Sequence, residues 1–163
     1  MVSVDASEDV MEQALEKKVD LLLTHHPLIF RPMKRIVESD RNGRRLLQLI
    51  ENHIALYSAH TNLDTAPGGN NDRAAAQLGL VNVKAVAEDG EKACLRIGYL
   101  PTPMTLEQLA EHTLEKYLLP YIRIVGKNEQ IVQRVALCTG SGMDFMPLAL
   151  KEGADVFITG DIT

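Results

Sequence analysis

Short apolar runs along the chain alternate with stretches whose apolar residues recur every three to four positions, the pattern of strands followed by amphipathic helices. Val2 to Asp5 reads as a short strand, and Ser7 as the N-cap of a helix with Val10, Met11, Ala14 and Leu15 on its apolar side. Val19 to Thr24 is a nearly continuous apolar run, which predicts a strand covered on both faces that stops at His25-His26-Pro27. After a loop, Asn42-Gly43 precedes a helical pattern through Leu46, Leu47, Leu49 and Ile50, and Ile54 to Ser58 predicts a strand ending at Ala59-His60. Pro67-Gly68-Gly69 marks a polar loop, after which Asn70 or Asn71 caps a short helix ending at Gly79.

No periodicity prevails from Leu80 to Lys92. Ala93 to Tyr99 predicts a strand closed by Pro101 and Pro103. Thr105 and Gln108 have the spacing of a capping box, opening a helix through Leu109, Leu114 and Leu118. Tyr121 to Val125 and Ile131 to Cys138 predict strands around the Gly126-Lys127-Asn128-Glu129 turn, Met143 to Lys151 a helix, and Val156 to Ile158 a last strand. Alternating strands and helices imply an α/β layered fold, a mainly parallel mixed sheet flanked by helices, in one domain over residues 1–163.

Composition narrows the function classes. With 45% hydrophobic and 24% charged residues the chain can bury a core, which excludes disordered and low-complexity classes. The net charge of -5 without a basic block argues against a nucleic-acid surface, and 4% aromatics with no Trp supply few stacking platforms. No run approaches the roughly 18 apolar residues that span a bilayer, so no membrane partner is expected. Cys94 and Cys138 lie far apart in apolar runs, which suits buried thiols of a reducing, cytoplasmic setting.

The candidate chemistry follows the strands. Strands joined through helices run parallel, so His25-His26 and His60 should emerge at one sheet edge, where open α/β sheets place ligands. Asp5, Thr139-Gly140 and Thr159-Gly160-Asp161 also follow predicted strands. Neutral imidazole is a favoured ligand for zinc, iron and nickel. Adjacent side chains on a strand diverge, however, so His25-His26 suits two ions, or one ligand and one support. On residue types alone a pair of hydrogen-bonded strand-end histidines is an equal alternative. Asp64 could bridge cations, orient an imidazole or close an Asx turn ahead of Pro67. Three imidazoles and a carboxylate together tip the reading toward metal. Thr139-Gly140-Ser141-Gly142 matches no phosphate-binding fingerprint and reads as a tight turn. His53 and His112 fall in helical patterns and read as structural or surface residues.

Val19 to Leu28 with its double His, Ser58-Ala59-His60-Thr61-Asn62-Leu63-Asp64, Gly68-Gly69-Asn70-Asn71-Asp72, Gly140-Ser141-Gly142 and Ile158-Thr159-Gly160-Asp161-Ile162 together resemble the Nif-three-like family of dinuclear-metal proteins, whose members are often called GTP cyclohydrolase I type 2 homologues. The resemblance implies that His25, His26 and Asp64 are metal ligands and that His60 lines the site as a proton shuttle or substrate contact. It also implies two divalent ions (zinc, iron or manganese), a small-molecule substrate such as a nucleotide, and a toroidal homo-oligomer, a hexamer in the family. The expected activity is metal-dependent hydrolysis of the GTP type; the alternatives are a non-catalytic metal-binding scaffold or regulatory interaction protein, and a shortened product that holds metal weakly. Relative to the family pattern, a strand and helix would precede Met1, and a Tyr-His pair and then His and Glu ligands would follow Thr163. The stretch from Lys92 to Val135 matches the compact form without the family's large insertion.

Overall fold

A computed structural model describes residues 1–87 and 93–162. Of the Leu80 to Lys92 stretch and the compact form from Lys92 onward, residues 88–92 lie outside the described residues, as does Thr163. The chain divides into two compact units, Met1–Asn62 and Leu63–Thr163.

The first unit holds β1 (Val2–Ser3), α1 (Glu8–Glu16), β2 (Leu21–Thr24), α2 (Arg41–Glu51) and β3 (Ala55–Ser58). Its sheet has the order β1-β2-β3 with every pairing parallel, as strand–helix–strand connections dictate. Ser7 caps α1 as predicted, its hydroxyl accepting from the Val10 N–H. Met11 and Ala14 of α1 pack with Leu22, Leu28, Leu49 and Ile54 in the core. Asp40 caps α2 by accepting from the Gly43 N–H at 2.8 Å. Gly43 is required there, because a Cβ would lie 2.3 Å from the Val37 carbonyl oxygen. β2 is shorter than predicted and is not covered on both faces: Leu22 and Thr24 are buried while Leu21 is exposed. Its apolar run thus behaves as a half-buried strand in this unit.

The boundary between the units falls within a short helix, α3 (Thr61–Thr65). The second unit continues with α4 (Asn70–Gln77), β4 (Val81–Val86), β5 (Leu95–Thr105), α5 (Leu106–Tyr117), β6 (Ile131–Ser141), a 3-10 turn at Met143–Phe145, α6 (Met146–Lys151) and β7 (Val156–Asp161). The sheet order is β4-β5-β6-β7, with β4, β5 and β6 antiparallel in succession and β7 parallel to β6. The fold is therefore α/β, parallel pairing joining most of the strands, but the described residues form two sheets, one parallel and one mixed, where the periodicity alone suggested one.

Successive residues of β6 serve opposite faces. Val135 and Leu137 join a core with Leu78, Leu100 and Leu109, while Ala136 and Cys138 join Leu95, Ile97 and Leu148. β5 runs through Pro101 and Pro103 instead of ending before them. The pairing to β6 shifts register between Tyr99 and Met104, and prolines, which lack an N–H, fit that irregularity without breaking a ladder. Thr105 and Gln108 form the full capping box of α5. Tyr121 to Val125 forms no strand, and Tyr121 and Val125 are exposed. Gly69, not Asn70 or Asn71, stands at the N-cap of α4, where a Cβ would meet the Leu63 carbonyl oxygen at 1.9 Å. No helix among the described residues is long and apolar enough to cross a membrane.

Candidate metal centre

In the first unit, β2 and β3 run in register with Thr24 opposite Ser58, so the residues following each strand leave the sheet at one edge. The Thr24 side chain is 1% exposed. Its hydroxyl donates to the His26 carbonyl at 2.9 Å, and its oxygen accepts from the Ser58 hydroxyl at 2.9 Å, tying the two strand ends together. The backbone N–H groups of His25 and His26 both donate to the Val4 carbonyl, at 3.1 and 2.9 Å. Two consecutive donors on one acceptor bend the chain, and the strand's side-chain alternation ends there. Contrary to the divergence expected of adjacent residues, the His25 and His26 rings lie 5.0 Å apart.

His60 completes the group, its ring 5.2 Å from His25 and 5.9 Å from His26. One nitrogen from each of the three histidines lies within 4.8 Å of the others. An ion bonded at about 2.1 Å to each of two ligands spans at most about 4.2 Å between them. The cluster thus has the dimensions of one ion after a slight ring rotation, or of a paired site.

Hydrogen bonding prepares two of the rings. His25 Nδ1 lies 2.7 Å from the Ala59 carbonyl oxygen, an acceptor only, so Nδ1 carries the proton and Nε2 the lone pair. His26 Nδ1 lies 2.7 Å from Asp5 Oδ1, with the same consequence. An imidazole whose far nitrogen is bonded to a carbonyl or carboxylate is the usual state of a metal ligand. His60 Nδ1 has a 3.5 Å contact with the Thr61 hydroxyl, and the Phe30 ring meets it edge-on at 6.1 Å. This donor set fits a divalent ion, and imidazoles alone favour zinc or iron over manganese. Phe30 also lines a cavity of about 440 Å³ with Pro27, Leu28, Arg31, Met33 and Asn42. Sequence reasoning placed Asp5 near this edge without a role, and it gave no sign of Phe30.

Asp64 belongs to the second unit. Its carboxylate accepts from Asn70 Nδ2 at 2.7 Å and its carbonyl from Asn71 Nδ2 at 3.1 Å. Asn71 is fully buried and also accepts the N–H and hydroxyl of Thr139, at 2.7 and 2.9 Å. The Gly142 N–H donates to the Thr159 hydroxyl at 2.9 Å. Internal partners therefore occupy the Thr139 and Gly142 N–H groups, and the segment read as a tight turn is instead the end of β6 through Ser141. Thr139-Gly140 and Thr159-Gly160-Asp161 lie within β6 and β7, on a different sheet from His25-His26, and not beyond the strand ends.

Arg96, 1% exposed in β5, donates through Nε to the Asp72 carboxylate and through Nη1 to the Ala93 carbonyl at 2.6 Å. The guanidinium holds the Asp72 carboxyl below its ordinary range, against a smaller opposing effect of burial, with help from the Gly68 N–H. Burial pushes the Cys138 thiol up to about 12, with Cys94 and Asp64 acting in the same direction. Both cysteines are buried, as the sequence predicted. His112 Nε2 lies 2.9 Å from the Leu78 carbonyl oxygen, a structural contact, and His53 is an exposed residue just past α2.

The Duf34/NIF3 (NGG1p interacting factor 3) family model matches residues 1–163. A GTP cyclohydrolase 1 type 2 homolog of Streptococcus pneumoniae is 39% identical over 167 residues, covering 99% of this chain and 63% of that protein. One of Clostridium acetobutylicum is 35% identical over 168 residues, covering 99% and 62%. The chain thus spans 62% and 63% of the length of these curated relatives. The crystal structure of a Bacillus cereus protein related to NIF3 matches with a TM-score of 0.86 at 25% identity, over 99% of this chain and 72% of that one.

Proposed function

The chain belongs to the Duf34/NIF3 family, and from that premise we propose that it binds divalent metal and serves a metal-dependent hydrolase akin to the relatives called GTP cyclohydrolase 1 type 2 homolog. The observation that carries this reading is the convergence of His25, His26 and His60, two of them with Nδ1 already committed to an acceptor. His25 and His26 would hold the ion through Nε2. Asp64 enters as the carboxylate ligand that the family resemblance implies. Two divalent ions, when bound, would supply Lewis acidity that activates water and polarises the substrate. His60, the least constrained ring, suits proton transfer or substrate contact. The substrate is a small molecule, a nucleotide in the first instance, and the working form is a cytoplasmic homo-oligomer, toroidal as in the family.

The family's description as an interacting factor favours a second reading, a metal-binding scaffold or regulatory interaction protein without turnover. Elemental analysis of purified wild type beside His25→Ala and Asp64→Ala tests the metal site. The expected result is about one to two transition-metal ions per chain in the wild type and loss in both variants. Absence of metal from the wild type after loading would sink the reading. Nucleotide turnover by the loaded wild type, absent from His25→Ala, separates the hydrolase from the scaffold.

A further inference from the structure

We infer that Asp5 is a positioning residue of the metal centre, fixing the His26 ring as the Nδ1–H tautomer so that Nε2 carries the lone pair a cation needs. The inference rests on the metal reading above and deepens it. β1 pairs with β2 so that Ser3 lies opposite Thr24. The next residue, Val4, receives both histidine N–H groups on its carbonyl, which brings Asp5 beside His26. The Asp5 carboxylate then sits 2.7 Å from Nδ1.

The contact has little reason to exist for stability. The two side chains are 61% and 51% exposed, and an exposed pair of this kind contributes little to folding. Its effect is on the ring. A neutral imidazole without partners favours the proton on Nε2, and an acceptor-only carboxylate at Nδ1 reverses that preference and fixes the ring direction. His25 receives the same service from the Ala59 carbonyl, a backbone group that no substitution removes. Asp5 is therefore the side chain through which the preparation of this pair can be altered.

The test uses wild type, Asp5→Ala and Asp5→Asn. Cobalt(II) titration followed by visible absorption gives metal affinity, nitrogen-15 NMR of the His26 ring at about pH 8 gives the tautomer without metal, and circular dichroism gives the thermal midpoint. Asp5→Ala should weaken cobalt binding about 10- to 100-fold and move the His26 proton to Nε2. The midpoint should stay within about 2 °C. Asp5→Asn keeps a carbonyl acceptor and should recover part of the affinity. Cobalt affinity of Asp5→Ala within about twofold of wild type, or a wild-type His26 protonated on Nε2, overturns the inference. A wild type that takes up no cobalt overturns the metal reading itself, while the tautomer still decides whether Asp5 sets the ring.

Discussion

Replacing Asp72 by Asn should cost about 3 kcal/mol of folding stability, because it strands a buried guanidinium. Arg96 is 1% exposed, and the Asp72 carboxylate is the charge that balances it. Its other bonds go to neutral carbonyls, Ala93 at 2.6 Å, Thr65 at 3.4 Å and Leu95 at 3.5 Å. Removing one partner of a buried pair typically costs about 3 to 5 kcal/mol. The Asp72 side chain is 34% exposed, so water screens part of the interaction and places the cost at the low end. The assay is urea unfolding at neutral pH, with Arg96→Met and the double variant completing a cycle. The double variant should recover much of the loss, since no charge is left buried. Acid provides a second readout. The folded carboxyl titrates below the ordinary 3.8, chiefly through its hydrogen bond to Arg96. The stabilisation is therefore fully present above that value and disappears as pH falls through the lower, folded one. In Asp72→Asn this part of the acid dependence should vanish. A loss under about 1 kcal/mol, or an unchanged acid dependence, would refute the reasoning. The pair also matters for the candidate ligand Asp64, because Arg96 reaches the carbonyl of the residue that follows it.

Thr24→Val removes the buried hydroxyl bridging the His26 carbonyl and Ser58, and should cost about 1 to 3 kcal/mol in urea unfolding, with Thr24→Ser largely restoring it. Equal stability of Thr24→Val and wild type would show that the bridge is not needed to join the strand ends. Cys138, its thiol pushed up to about 12 and buried, should resist alkylation by iodoacetamide at about pH 8 until the protein is unfolded. Rapid labelling of the native protein at this residue would contradict that.

Much of the local structure was legible because short-range rules decide it. Ser7 and Thr105 cap their helices through side-chain oxygens that any chain with those spacings can use. The apolar run from Ile131 to Cys138 is a strand, as its residues predicted, and its Val135 to Cys138 stretch is buried on both faces. The misreadings share one cause, which is dependence on a distant partner. Tyr121 to Val125 has strand-forming residues but pairs with no strand among the described residues. Pro101 and Pro103 should end a strand, yet a register shift opposite β6 accommodates them. Asn70 and Asn71 look like caps, but their amides bond Asp64, and Asn71 also reaches Thr139.

The same division holds at the candidate site. The sequence by itself determined the Ser7 and Thr105 helix caps, the α/β alternation and the family, since residue types and their spacing are local properties. Only the tertiary structure decided that the pairing partitions into two sheets, since partner choice is non-local. It alone revealed the buried Arg96–Asp72 pair, whose members are 24 positions apart. It also overrode the alternation expected at His25-His26: a shared hydrogen bond to Val4 bends the chain, brings the two rings together and carries Asp5 to His26.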